Sequence, residues 1–273
     1  MKPSLPVLGL ALPIERLPEF RPWLLEHGGR DLELQDAVRP EVLDGDWQPL
    51  VAQARQALDG YTGRLGIHGP YDGLWMASFD PFVRRMIAER YRRALELAAD
   101  LGASHMVIHS PFLFFGHPQM AHTPGNGLER EIEWVHDTLQ TVLPLARNLG
   151  LVLVIENIRD TNPQPLRTLV QSFGSEHVRM SLDVGHAHLM QQLGGPAPDQ
   201  WVKEAGPLLA HLHLQDNDGL LDRHWSPGQG GVNWRALFAA LQPLQGQPRL
   251  ILEVRHEQLP VAAQWLVAQG LAC

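Results

Sequence analysis

The strongest constraint on the fold is an alternation of short apolar runs with longer amphipathic stretches, repeated eight times. The apolar runs lie at 6–12, 31–35, 64–70, 105–111, 151–157, 178–185, 209–216 and 249–255. Each run has the length of a buried strand, and a helical pattern follows it. Eight such units predict an α/β fold, a (β/α)8 TIM barrel, whereas the alternative, a doubly wound open sheet, rarely uses eight such even units. No linker interrupts the pattern, which predicts one domain over residues 1–273.

The clearest helix is predicted over residues 80–102. Asp80 is a typical N-cap, Pro81 suits the first helical position, and Gly102 is a typical C-terminal stop. The apolar spacing predicts a buried face formed by Phe82, Met86, Tyr91, Leu95 and Ala98. The longest irregular segment, 111–127, follows strand four, and a loop of that length is typical of a functional lid or of disorder.

Charge and cysteine content narrow the function classes. The 273-residue chain has a net charge of -8, which disfavours nucleic acid as a partner because phosphate contacts need a basic face. Its one cysteine, Cys273, excludes an internal disulfide and a thiolate zinc site, and fits a cytoplasmic location. Pro3, Pro6 and Pro13 interrupt the N-terminal apolar run, which is predicted to be the first strand rather than a signal peptide. No apolar run is long enough to span a membrane, so no membrane association is expected.

Ligand-type side chains end six consecutive predicted strands. They are His68, His109, Glu156, Asp183, His213 and Glu253, with His186, His188, Asp216, Asp222 and His224 in the segments that follow. In a barrel these ends meet on one face, where the βα loops carry the chemistry. A lone buried histidine is usually a hydrogen-bonded core group, but six charged or imidazole groups at one face are costly without a shared cation. Oxygen and imidazole ligands without sulfur suit Mn²⁺, Co²⁺, Mg²⁺ or Zn²⁺.

The strand-end motifs resemble those of the xylose isomerase-like TIM barrel superfamily. The resemblance rests on "IHGPY", "VIHSP", "VIEN", "SLDVGHAH", "HLHLQDND…DRHWSPGQG" and "ILEV", which together span most of the chain. That superfamily includes sugar phosphate isomerases and epimerases, hydroxypyruvate isomerases, inosose dehydratases and endonuclease IV enzymes. By motif position, the resemblance implies a divalent metal site, with Mn²⁺ the first expectation, formed by Glu156, Asp183, His213 and Glu253.

The resemblance leaves the reaction open between three classes. Endonuclease IV holds three zinc ions with further ligands, and the matching residues here are His68, His109, His186, Asp222 and His224, which in sugar enzymes surround the substrate instead. Tyr71 also follows His68 at the nuclease spacing, but "HSP", "ENIRD" and "DVGH" depart from the nuclease motifs. Together with the acidic charge, these departures favour a sugar or sugar phosphate isomerase or epimerase. A zinc-dependent abasic-site nuclease and an inosose dehydratase-like lyase are the alternatives.

The isomerase hypothesis assigns a proton transfer to two carboxylates. Glu156 and Glu253 are the expected catalytic pair, one accepting and the other returning a proton through an enediolate stabilised by the metal. His188, Arg159 and Trp225 are weaker candidates for substrate contacts, and the chain is a candidate homodimer. Glu33 is expected to anchor the ligands, and His211 to lie one layer deeper as a hydrogen-bonded core group. A Schiff-base aldolase is excluded because the only lysines, Lys2 and Lys203, do not end a strand.

Overall fold

The chain folds into a closed barrel of eight parallel strands. Each strand pairs with its neighbours in sequence, and β1 pairs with β8 to close the barrel. The structure, a computed structural model, describes residues 5–112, 127–244 and 246–273. The strands are β1 Leu8–Leu12, β2 Leu32–Leu34, β3 Leu65–His68, β4 His105–His109, β5 Val152–Glu156, β6 Val178–Asp183, β7 Leu209–Leu214 and β8 Arg249–Leu252. The predicted (β/α)8 barrel is confirmed, including the N-terminal run as its first strand, and the open sheet is wrong.

Helices surround the barrel on the outside. They are α1 Leu17–Leu24, α2 Pro40–Asp44, α3 Gln48–Ala57, α4 Pro81–Leu101, α5 Gly127–Leu139, α6 Val142–Asn148, α7 Pro163–Ser172, α8 Val184–Gln191, α9 Pro198–Ala205, α10 Trp234–Leu241 and α11 Leu259–Ala268. Within the described ranges, no helix is long and apolar enough to cross a membrane.

Alternation along the strands separates the apolar core from the polar barrel interior. In β2, Leu32 and Leu34 belong to the hydrophobic core, while Glu33 between them reaches His213 of β7 across the barrel. In β7, Leu212 and Leu214 belong to the core and alternate with the inward-facing histidines. Because successive strand residues point to opposite faces, a leucine on one side of the sheet leaves each intervening polar residue on the other.

The predicted helix over 80–102 is confirmed at both ends, but its predicted buried face is partly wrong. The Asp80 carboxylate accepts a hydrogen bond from the Phe82 amide at 2.8 Å, and Gly102 has φ 76°, which suits a helix stop. Phe82 and Met86 are exposed, and the buried face runs instead through Ile87, Tyr91, Ala94, Leu95 and Ala98. Arg84 is buried on the same helix, and its guanidinium donates to Ser78 O at 2.7 Å and to the Asp137 carboxylate at 2.6 Å.

Two expectations are left without a structural account. Residues 113–126, with most of the predicted lid segment, His117, His122, Phe114 and Phe115, lie outside the described residues. The domain limits 1–273 also stay a prediction.

Candidate metal centre

Four of the strand-end residues converge at the C-terminal face of the barrel. Glu156 and Asp183 are the last residues of β5 and β6, His213 is next to last in β7, and Glu253 follows the last residue of β8. The strand register sets Asp183 beside His213, and one potential ligand atom of each of the four residues lies within 4.8 Å of the others. This spacing suits four ligands around one small cation.

His213 lies at the centre of this group and contacts carboxylates through both ring nitrogens. Its Nδ1 is 2.8 Å from Glu156 Oε1 and 3.3 Å from Glu253 Oε2. Its Nε2 hydrogen-bonds Glu33 Oε1 at 2.9 Å. The imidazole is therefore held with Nδ1 toward Glu156 and Glu253 and with Nε2 toward Glu33 in the barrel interior.

Buried oxygens without partners show that the group is suited to a cation. Glu156 and Asp183 are 1% and 0% exposed, and neither Glu156 Oε2 nor Asp183 Oδ2 has a hydrogen-bond partner among the described residues. A buried ionised carboxylate oxygen is costly unless it is paired or coordinates a metal. The donor set of three carboxylates and one imidazole contains no sulfur, so it suits Mn²⁺, Co²⁺, Mg²⁺ or Zn²⁺.

Burial and neighbouring charges also shift the pKa values of Asp183 and His213. Burial raises the pKa of Asp183 to about 6, with the charges of Glu156 and Glu253 adding to the rise and that of His186 opposing it. Burial alone would lower the pKa of His213, but the charges of Glu253, Glu33 and Glu156 raise it well above its usual value. Without a metal, a second proton on His213 therefore balances part of the carboxylate charge.

A second cluster adjoins the first through Glu156. His68 Nε2 and His109 Nε2 lie 3.7 and 3.6 Å from Glu156 Oε2, and one ligand atom of each lies within 4.8 Å of the others. The Tyr71 ring stacks on His109 with centroids 4.3 Å apart. Burial lowers the pKa of the His109 imidazole to about 3, so this imidazole is neutral at pH 7.

A third cluster joins α8 to the loop after β7. His186 Nε2 and His224 Nε2 each lie 3.2 Å from Asp222 Oδ2, and Gln215 donates to Asp222 Oδ1 at 2.8 Å. His224 has φ 48°, a backbone conformation that is uncommon outside glycine and is found at functional sites. Its Nδ1 hydrogen-bonds the backbone oxygen of Glu253 at 2.8 Å, so the loop is tied to the residue that follows β8 in the four-residue group.

The weaker substrate candidates lie outside these three clusters. His188 is 8% exposed and packs beneath Gly231, where an added Cβ would lie 2.7 Å from its Nε2. Arg159 is exposed in the loop after β5. Trp225 is half-buried and pairs through its backbone with Asp216. Their contacts with substrate stay predictions.

Asp216, which also follows a strand end, acts as a loop anchor. Its carboxylate accepts hydrogen bonds from the Gly228 amide at 2.9 Å, the Val232 amide at 3.1 Å and the Trp234 indole at 2.9 Å. With these donors, the fully buried carboxylate fixes the long turn between β7 and α10.

Sequence reasoning missed three polar residues that support the site, although alternation could have revealed them. Gln35 lies two residues after Glu33, and Gln215 lies two after His213, so each shares a strand face with an inward polar residue. His105 is fully buried at the start of β4 and faces Gly66, where an added Cβ would lie 1.8 Å from its ring. His211 lies one layer below His213 as expected, with Nδ1 2.8 Å from Ser181 Oγ.

Known proteins with this architecture share the fold over nearly the whole chain. The model of the xylose isomerase-like TIM barrel family matches residues 23–271. A Thermus thermophilus protein, solved after soaking with ZnCl2, is 30% identical with a TM-score of 0.69, over 96% of this chain and 98% of that one. The Escherichia coli 3-keto-D-glucoside 4-epimerase, in its apo form, is 20% identical and shares the fold with a TM-score of 0.71, over 96% of this chain and 99% of that one.

Similarity in sequence is also found among curated proteins. Fructoselysine 3-epimerase of Escherichia coli O157:H7 is 22% identical over 213 residues, which are 74% of this chain and 70% of that protein. The matches to two Methanocaldococcus jannaschii proteins span 62% and 64% of the length of those relatives.

Proposed function

The chain belongs to the xylose isomerase-like TIM barrel family, and we propose that it is a divalent-metal-dependent isomerase or epimerase of a sugar or sugar phosphate. The observation that carries the proposal is the convergence of Glu156, Asp183, His213 and Glu253 within 4.8 Å at the face where barrel enzymes hold their substrates. The similarity to fructoselysine 3-epimerase supports a small sugar as the partner.

Three carboxylates and one imidazole would hold the ion. A divalent ion bound there polarises the carbonyl and hydroxyl oxygens of a sugar and stabilises negative charge that develops on them. Mn²⁺ is the first expectation, and Zn²⁺, Co²⁺ and Mg²⁺ fit the same donors. The zinc-soaked relative supports a site for a metal ion of this kind.

Proton transfer is assigned to Glu156 and Glu253. One carboxylate removes the proton from the carbon beside the carbonyl, and the electron pair of that C–H bond moves to give the enediolate. The other carboxyl group returns a proton to carbon, from the opposite face in an epimerase. Glu156 is 1% exposed, whereas the Glu253 side chain is 14% exposed, so Glu253 is the group that exchanges its proton with solvent more readily.

Imidazoles of the two adjoining clusters would bind the hydroxyl groups of the sugar. His109 and His186 flank Glu156, with ring nitrogens 3.6 and 4.0 Å from its carboxylate oxygens. His68 belongs to the cluster of His109 and Glu156, and Asp222 and His224 belong to that of His186, so they are further candidates for such contacts. Nucleic acid is not an expected partner for a chain of net charge -8, and a homodimer and a cytoplasmic location are further predictions.

The experiment that tests this function is solvent exchange at carbon. The Mn²⁺-loaded protein is incubated in D₂O with D-fructose or its 6-phosphate, and deuterium at the carbons beside the carbonyl is followed by NMR. We expect incorporation by the wild type and its loss in Glu253→Gln. Glu257→Gln is the matched control. It is the same Glu-to-Gln substitution four residues away, at a side chain that is 73% exposed. Exchange that survives in Glu253→Gln would contradict the assigned role.

A zinc-dependent abasic-site nuclease is the second candidate, and the two adjoining clusters favour it. Glu156, His68 and His109 form one potential ligand set, while His186, Asp222 and His224 form another. Three bound zinc ions and cleavage of an abasic duplex that is lost in Glu156→Gln would establish the nuclease. An inosose dehydratase-like lyase would be recognised by loss of water from a keto-inositol, which changes the product mass.

A further inference from the structure

Strand β2 supplies none of the four proposed ligands, yet two side chains at its end reach the metal centre. Glu33 and Gln35 are two residues apart and both point into the barrel. They contact side chains from β7 and from the end of β8, which are 180 and 218 residues away along the chain. The mechanism assigned above uses neither residue.

Glu33 faces the side of His213 that points away from the proposed ion. Both side chains are 0% exposed, and Glu33 Oε1 accepts a hydrogen bond from His213 Nε2 at 2.9 Å. When His213 loses its second proton, at Nδ1, the neutral imidazole keeps one N–H at Nε2, held by Glu33, and its Nδ1 lone pair points toward Glu156 and Glu253. The carboxylate thus fixes both the ring orientation and the tautomer that a metal ligand needs.

Gln35 makes the corresponding contact with Glu253. Its side-chain amide Nε2 donates to Glu253 Oε1 at 3.2 Å. The second oxygen, Oε2, is then directed toward His213 Nδ1, from which it is 3.3 Å away. Glu253 is half-buried just past the strand end, and the Gln35 amide fixes the carboxylate oxygen that does not face His213.

Glu33 is itself supported from the layer below. His211 Nε2 lies 3.0 Å from Glu33 Oε2, as a close polar contact that is not aligned as a straight hydrogen bond. His211 Nδ1 lies 2.8 Å from Ser181 Oγ, whose hydroxyl can donate to it. Both oxygens of Glu33 therefore face imidazoles of β7, which hold the carboxylate in place.

We propose that β2 is a positioning strand for the metal centre, in which Glu33 orients His213 and Gln35 orients Glu253. The proposal rests on the proposed four-residue metal site. Glu33 and Gln35 are positioning residues, since they act through the ligands and touch neither the ion nor the substrate.

The test measures metal binding rather than turnover. Co²⁺ affinity is measured by competition with a chelator, and the visible absorption of bound Co²⁺ reports the coordination geometry. The variants are Glu33→Gln, which keeps an acceptor for His213 but removes the charge, Glu33→Leu, which removes both, and Gln35→Leu. Asp31→Asn is the matched control, because Asp31 is also buried next to β2 but pairs with Arg64 at 2.6 Å.

We expect Co²⁺ affinity to fall about 10-fold in Glu33→Gln and about 100-fold in Glu33→Leu, the range that loss of such supporting contacts produces. Gln35→Leu should lose less than about 10-fold but should shift the Co²⁺ spectrum, since Glu253 becomes free to turn. Asp31→Asn should match the wild type in both measurements. Circular dichroism of the metal-free proteins identifies a variant that fails to fold, and if Glu33→Leu does so, Glu33→Gln and Gln35→Leu decide.

Wild-type affinity and spectrum in folded Glu33→Gln and Gln35→Leu would overturn the positioning role. Equal losses in Asp31→Asn would overturn it too, because they would show a general effect on the barrel. A wild type that binds Co²⁺ through this site but exchanges no deuterium into a sugar would contradict the proposed function alone. A wild type that binds no Co²⁺ would overturn both proposals.

Discussion

Replacing Asp183 by asparagine should change stability in opposite directions with and without metal. The carboxylate is 0% exposed, and Oδ2 has no hydrogen-bond partner among the described residues. Burial, with Glu156 and Glu253 nearby, raises its pKa from 3.8 to about 6. At about 1.36 kcal/mol for each factor of ten in the ionisation constant, ionised Asp183 costs the folded protein about 3 kcal/mol.

The sign of this cost follows from the order of the two pKa values. Because the folded pKa is the higher one, the metal-free protein loses this free energy as the pH rises from about 4 to 6, and the loss is complete at about pH 8. Asparagine cannot ionise, and its Oδ1 can still accept from the His186 amide, which lies 2.6 Å from the present Oδ1. The imperfectly paired amide of the asparagine costs about 1 kcal/mol. The metal-free variant should therefore be more stable than the metal-free wild type by about 2 kcal/mol.

The assay is thermal unfolding at pH 8 with EDTA and with excess Mn²⁺. In EDTA the variant should melt above the wild type by about 4–8 °C, at about 2–4 °C for each kcal/mol in a chain of this size. At a hundredfold excess of Mn²⁺ over its dissociation constant, the wild type gains about 2.7 kcal/mol by linkage. The variant lacks one proposed ligand and should gain little.

Two results would refute the reasoning. If Asp183→Asn is less stable than the wild type in EDTA, the unpaired carboxylate is not a cost in the folded protein. If the variant gains as much stability from Mn²⁺ as the wild type does, Asp183 is not a ligand.

Two further predictions concern chelation and pH. EDTA should lower the melting temperature of the metal-loaded wild type without unfolding it at room temperature, since the barrel has its own buried core; loss of the far-UV circular dichroism signal on chelation would contradict this. Burial raises the pKa of Asp160 to about 7, although hydrogen bonds from the Ser110 hydroxyl and the Ile158 amide oppose the rise. Because the folded pKa is the higher one, wild-type stability should fall by up to about 4 kcal/mol as the pH rises from about 4 to 7. The urea midpoint should therefore fall less between pH 5 and pH 8 in Asp160→Asn than in the wild type. An equal fall in both proteins would show that Asp160 does not titrate in this range.

Sequence patterns predicted the barrel and the face at which its ligand-type residues meet. The reason is that strand periodicity and strand ends are local properties, and a parallel barrel brings all eight C-terminal ends to one face. Alternation likewise placed His211 one layer below His213, where the structure has it.

Contacts across the barrel could not be predicted in the same way. The pairing of Gln35 with Glu253 depends on barrel closure, which joins residues 218 positions apart, and no local pattern specifies it. The buried face of α4 was misplaced for a similar reason, since it includes buried Arg84, whose partner Asp137 is 53 positions away. Local spacing alone had put Phe82 on the buried face.

The most direct test of the central claim is the position of the ion in crystals grown with Mn²⁺, located by its anomalous scattering. The account predicts one Mn²⁺ bonded directly to Glu156, Asp183, His213 and Glu253. No peak at these residues, or Mn²⁺ bound only by His186, Asp222 and His224, would contradict it.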